Sequence, residues 1–378
     1  MKVGMVSPFR VQCGNAQHTE NLVIELVKQV DSFKIFAENV IPPETEIGPI
    51  NKNIHIDYER CWQRGQGFEI LERKIKEYSP NVIHIQFVGG LFNELSYDPN
   101  SAFQKIIENL RNVGIKIILY MHDVPEYFPD EKQIYNWYKN LQAIFFVANP
   151  STKNGIKKWF PEAQVYIIPL GTPNVTITDK LLARQKLGLN EKDFILMQPG
   201  FYGKNKGMKE IIDNIQHIHI PNFKMVFAGT MHPFSMDLDK VYMKECIKSA
   251  LKVKDRVIFV NKFLTKDEID LYCSAADFFI SNQSMIFGYA GTASVHGLLP
   301  FGKPLILSTS PKLSAFTDNV DCKKFAPNHL VETIMDLYTK TEIQKQLSNG
   351  ALELAEKTSC KNVSKQCVEI YNKVCKIK

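Results

Sequence analysis

The sequence lacks any apolar stretch long enough and unbroken enough to cross a bilayer. It opens on MKVGMVSPF, which reads straight into a buried strand, with no charged leader region, long apolar run or small-residue cleavage site. A cytoplasmic protein is the expectation. Long blocks of one charge sign are also absent: 46 Lys and Arg are scattered among 40 Asp and Glu, and a net charge of +6 is modest for 378 residues. That balance argues against a dedicated nucleic-acid binder and leaves only a weak attraction to anionic substrates or a membrane surface. The eight cysteines form no CxxC pair and no metal-ligand spacing with His, so reduced thiols and no metal site are expected. Short-period repeats of the solenoid kind are missing too.

What is present is the composition of a globular protein, 44% hydrophobic and 23% charged. The length suits two domains of about 150–190 residues. Short β-branched and aromatic runs alternate with amphipathic helical stretches, the pattern of βαβ units on a parallel sheet. In the first half, strands are predicted near Val3–Ser7, Lys34–Ala37, Val82–Phe87, Lys116–Met121, Ala143–Val147 and Val165–Ile168. Helical patterns lie between them, at 18–30, 66–78, 101–113, 131–140 and 151–159. Pro169-Leu170-Gly171-Thr172-Pro173 reads as a joint. A second series follows at Phe194–Gln198, Lys224–Ala228, Val257–Val260, Phe278–Ile280 and Pro304–Leu307. The tail 357–378 has the spacing of an amphipathic helix that either ends the second domain or packs back on the first.

Open parallel sheets bind ligands beyond the carboxyl ends of their strands, so the loops there are the places to search. After the first strand, Gly14 precedes a helix start, where a ligand can approach backbone amides; a flexible turn is the bland alternative. His122 follows the fourth strand and can exchange hydrogen bonds with a substrate hydroxyl, or simply cap the strand. Early in the second half, Gly200, Lys204 and Lys206 lie in a strand-to-helix turn that could neutralise a diphosphate, though it is not a Walker loop. Gly291, Thr292 and Ala293 begin a helix whose amides could meet phosphate oxygens; close helix-to-strand packing would also explain the small residues.

Taken in order, MKVGMVSPF…CGNAQHTENLV, VIHIQF, YMHDVP, IIPLGTP, GFYGKNKGMKEII, VFAGT and AADFFISNQ…GTASVHGLLPFGKPLI resemble the GT-B glycosyltransferases of the glycosyl-transferases group 1, or family 4, type. The resemblance covers nearly the whole chain. It implies an α/β GT-B fold, two Rossmann-like parallel-sheet domains facing across a cleft. Residues 1–171 would form the N-terminal acceptor-side domain and 172–356 the nucleotide-sugar-binding one. It further implies a UDP- or GDP-linked sugar donor and a glycan, lipid-linked or protein acceptor. Transfer would proceed with retention, most often of a hexose, and need neither metal nor cofactor. By the same resemblance His122 contacts the transferred sugar and Lys206 stabilises the diphosphate leaving group. Gly14, Gly200, Lys204, Gly291, Thr292 and Ala293 would be donor-binding. Two departures stand out. Phe201 occupies the place of a basic residue, and Tyr289 and Gly297 occupy the places of the family's two glutamates. They motivate a second reading, a GT-B-shaped protein that binds a nucleotide sugar or a protein partner without catalysis. A nucleotide-sugar epimerase is a third. Lys153, Lys157, Lys158, Trp159 and Phe160 form a basic and aromatic set on one helix, readable as a weak peripheral membrane contact or as a solvated face with a buried aromatic edge.

Overall fold

A computed structural model describes residues 1–39, 45–233, 235, 237–283 and 291–376, Lys254 by its backbone alone. The chain divides into two compact units. One comprises residues 1–171, 287–291 and 360–378, the other 172–286 and 292–359.

In the first unit, β1 (Lys2–Ser7), β2 (Ser32–Glu38), β3 (Tyr58–Trp62), β4 (Val82–Phe87), β5 (Lys116–Met121), β6 (Ile144–Val147) and β7 (Val165–Ile167) pair in parallel in the order β3-β2-β1-β4-β5-β6-β7. Its central strands are buried on both faces because helices cover both. The period-two alternation of β4 and β5 sorts their side chains. Ile83, Ile85, Phe87, Ile117, Leu119 and Met121 enter a core with Trp62, Phe92, Phe103 and Trp137. Phe87 and Phe92 stack there at 5.6 Å and Trp62 and Phe92 at 5.2 Å. On the other face lie His84, Gln86 and Tyr120, all fully buried. The helix Cys360–Lys376 belongs to this unit: Tyr371 Oη lies 2.5 Å from His84 Nδ1, and Gln29 donates to Ser364 Oγ.

In the second unit, β8 (Phe194–Pro199), β9 (Phe223–Ala228), β10 (Val257–Phe259), β11 (Phe278–Ser281), β12 (Leu305–Ser308) and β13 (Lys323–Phe325) form a parallel sheet in the order β10-β9-β8-β11-β12-β13. The two sheets share one strand order, that of the dinucleotide-binding fold. Helix starts are fixed by side-chain caps, Asp179 accepting from Leu182 N–H and Thr265 pairing with Glu268 in a capping box; each contributes about 1 kcal/mol. The buried Arg184 guanidinium is fully engaged, with Asp277 at 2.6 Å and the carbonyls of Ala275 and Glu191.

Two strands fall outside the predicted set, β3 (YERCW) and β13 (KKF). Both lie at sheet edges, where charged side chains face solvent and mask the apolar pattern. The first helix runs Gly14–Leu26, four residues earlier than its apolar spacing indicates. Gly14 is therefore its first residue, and His18 lies one turn in.

Candidate functional site

Each sheet reverses its order of filling once, between β1 and β4 in the first unit and between β8 and β11 in the second. Ligands of such sheets bind beyond the strand ends at that switch point.

In the first unit, Gly14 stands exposed at the helix N-terminus, and a methyl group built on its Cα would meet nothing within 4 Å. His18, on the same helix, faces His122 at 5.6 Å between ring centres, and His122 stacks on Tyr120 at 4.8 Å. His122 Nε2 lies 2.6 Å from Gln86 Oε1. A carbonyl oxygen only accepts, so Nε2 carries the proton and Nδ1 keeps its lone pair. Burial, together with His18 and His84, holds the His122 pKa well below its usual value. His122 is thus a neutral hydrogen-bonding group rather than a cation. Behind it Gln86 reaches His84 Nε2 at 3.5 Å, and His84 reaches Tyr371, a buried chain of polar groups ending on the C-terminal helix. Next to His122, the Asp123 carboxylate accepts from Gly89 N–H, the first residue after the β4 loop turns, and burial pushes its pKa up to about 6.

In the second unit the loop after β8 is built by fastening. Gly200 N–H donates to Ala228 O and Tyr202 N–H to Thr230 O, while Tyr202 Oη donates to Phe227 O at 2.7 Å and accepts from Asn261 N–H. Gly229 admits no side chain, since a Cβ there would lie 2.0 Å from Gly200 O. Gln198 Nε2 donates to Lys206 O, and Asn282 Nδ2, just beyond β11, donates to Gly207 O at 3.1 Å. Gly207 has φ +56° and presses against Asn282, two reasons for glycine at this turn. Tyr202→Phe leaves Phe227 O and Asn261 N–H without their partner, so we expect it to lower stability by about 1–3 kcal/mol in urea unfolding.

The loop carries two lysines with different surroundings. Lys204 is exposed, whereas Lys206 is half-buried. Among the described residues no carboxylate pairs with the Lys206 ammonium, and burial, with a contribution from Lys312, pushes its pKa down to about 8. Phe201 does not turn toward this cation's role or place; it packs against His232 at 4.8 Å and Phe263 at 6.1 Å. Ser294, on the short helix Ala293–His296, comes within 3.8 Å of the Cβ position of Gly200, which brings the segment after Thr292 to the β8 loop. Thr292 Oγ1 lies 3.0 Å from Ser294 Oγ. Gly291 is assigned to the first unit and packs tightly there on Ala148 and Leu170. Gly297 ends the short helix with φ −66°, and Tyr289 lies outside the described residues.

Sequence reasoning missed Gln198, whose Oε1 is buried without a partner, as well as Asn282 and Lys312. Asn282 could have been found as the first residue past the β11 run. The basic and aromatic helix is Pro150–Trp159, and in it Trp159 is in the core with its indole N–H on Pro125 O, while Lys157 and Lys158 donate to Pro161 O and Glu126 O. Among the described residues no helix is long and apolar enough to cross a membrane, and no group of three or more His, Cys, Asp or Glu could hold a metal ion.

Two parallel-sheet units of Rossmann-like order, with ligand-approachable loops at both switch points, are the components of the GT-B fold. Three solved structures align along the chain. Sucrose-phosphate synthase from Thermosynechococcus elongatus is 15% identical, with 99% of each chain covered and a TM-score of 0.77. A glycosyltransferase from Rickettsia africae is 12% identical, covering 100% of this chain and 99% of its own, at 0.73. Anabaena HepE in complex with UDP-glucose is 14% identical, covering 99% and 100%, at 0.73. Such identities establish the fold. No curated protein matches the sequence. Residues 179–353 match the model of glycosyl transferases group 1. The chain has the GT-B fold, and its residues 179–353 are similar to that glycosyltransferase family.

Proposed function

We propose that this protein moves a sugar, a hexose, from a UDP- or GDP-linked donor to a glycan, lipid-linked or protein acceptor, with retention and without a metal. The observation that carries the reading is the Lys206 ammonium, half-buried at the β8–β11 switch point with no carboxylate partner among the described residues. Breaking a glycosyl–phosphate bond places negative charge on the departing diphosphate, and a preset cation is worth most where charge develops. Lys206 takes that task, assisted by Lys204 and by the backbone of Gly200, Thr292 and Ala293. In the first unit Gly14 gives a ligand backbone to approach, Gly291 being packed on Ala148 and Leu170, and neutral His122 offers Nδ1 to accept from a sugar hydroxyl. HepE, of the same fold, has been crystallised with UDP-glucose, which supports a nucleotide-sugar donor here. Residues 1–171 serve the acceptor, 172–356 the donor, and the protein works in the cytoplasm, touching a membrane peripherally at most.

The test is a panel of UDP- and GDP-sugars, offered with and without glycan acceptors, with release of the free nucleotide followed. Consumption of one donor, dependent on Lys206, supports transfer. Gly297, which offers no carboxylate, favours a second reading, donor binding without turnover. Binding of a nucleotide sugar by a protein that never consumes it would establish that reading instead.

A further inference from the structure

We propose that Lys312 is a second cation of the anion site around Lys206, so that the two ammonium groups together hold a diphosphate. The proposal rests on the reading of the β8–β11 switch point as a donor site, and it concerns which side chains grip the anion there.

The argument begins with strand order. β11 is flanked directly by β8 and β12, so loops leaving β8 and β12 lie two strand spacings apart, about 10 Å. Lys206 follows β8, and Lys312 follows β12 on the single turn Pro311–Leu313. Both loops are tied to the end of the strand between them. Asn282 Nδ2 donates to Gly207 O on one side, and on the other Ser308 Oγ donates to Gln283 O at 3.1 Å. The turn bearing Lys312 is itself capped, with its N–H directed to Ser310 Oγ. Hydrogen bonds therefore set both lysine-bearing loops in place before any ligand arrives.

The energetics point the same way. Lys312 is 7% exposed. Lys side chains are seldom taken so far out of water, because the charged form loses its hydration. Burial lowers the Lys312 pKa, and its charge adds to the lowering at Lys206, so the two ammonium groups are close enough to repel. Two like charges flanking one strand end repel each other. A diphosphate carries two or more negative charges and offsets that repulsion.

The experiment titrates wild type, Lys312→Met and Lys312→Arg with inorganic pyrophosphate, UDP and GDP by calorimetry. Lys312→Met removes a desolvated charge at nearly constant volume and is expected to fold, which its melting curve checks; Lys312→Arg keeps the charge. The expected result is a loss of at least tenfold in pyrophosphate affinity for Lys312→Met, with most of it recovered in Lys312→Arg. Removing the like charge should also move the alkaline fall in Lys206-dependent binding to higher pH. Pyrophosphate binding by Lys312→Met within twofold of wild type overturns the proposal, as does a wild type that binds none. Because pyrophosphate lacks base and sugar, a Lys312-dependent site stands even where no nucleotide sugar is turned over, so the two failures are separable.

Discussion

Lys206→Met is expected to lower kcat/KM for the nucleotide-sugar donor by about 100- to 1,000-fold while raising the stability of the fold. The first effect follows from removing a cation aimed at developing charge in a water-poor place, where single donors contribute ~3–4 kcal/mol to the transition state. The second follows from the depressed pKa. Lys206 titrates at about 8 when folded against 10.5 in the open chain, so the unfolded chain binds the proton more tightly. A depressed pKa means stability that is present above pH 10.5 and lost as pH falls through about 8. At pH 7 the charged Lys206 therefore costs the fold up to roughly 3 kcal/mol, and methionine of similar length removes that cost. Opposite signs for activity and stability are what distinguish a functional cation from a structural one. Chemical denaturation at pH 7 and steady-state kinetics on the same preparations check both. A variant less stable than wild type with ordinary activity would remove Lys206 from the site. The same pKa sets the pH profile: kcat/KM, which reports the free enzyme, should fall above about pH 8 as the ammonium is lost.

Much of this candidate site was legible because strand ends are legible. Apolar runs such as KIILYM and FILMQ mark central strands, and in a parallel sheet the residues just past them are the ones a ligand meets, which is how His122 and Lys206 were reached. The strand order itself was carried by family resemblance, since the sequence pattern gives strands and helices without their neighbours. What stayed hidden has physical causes. The edge strands β3 and β13 carry solvent-facing charges that erase the apolar run. Lys312 lies in STSPKLSAF, an ordinary turn by composition; only the placement of β12 beside β11 brings it to Lys206. His18 sits on a helix whose apolar spacing begins at residue 18, so the spacing hid that the helix starts at Gly14 and turns His18 inward toward His122.

The first unit holds buried titratable groups of both kinds, and two substitutions should change its stability with pH in opposite directions. His18 is fully enclosed with neither ring nitrogen hydrogen-bonded, and burial drives its pKa down to about 4; in the unfolded chain it is near 6.5. The native state refuses a proton that the unfolded chain accepts. Stability from His18 is thus present above pH 6.5 and lost as pH falls toward 4, by about 1.4 kcal/mol per unit and roughly 3 kcal/mol in all. His18→Phe should gain on wild type by that amount between pH 6.5 and 4, whatever constant offset repacking adds. Glu94 is the mirror case. Burial pushes its carboxyl up to about 7, with Oε2 accepting from the Trp137 indole N–H at 2.5 Å. A raised carboxyl pKa means stability present below pH 4.5 and lost as pH rises through about 7. Glu94→Gln keeps an acceptor for Trp137 and should gain roughly 3 kcal/mol on wild type between pH 4.5 and 7. In the wild type these contributions partly cancel, which is why the variants and not the parent expose them. The readout is clean because all three tryptophans, Trp62, Trp137 and Trp159, belong to the first unit, so indole fluorescence in urea follows that unit alone. Parallel pH dependences for wild type and both variants would show that neither side chain is desolvated in the native state.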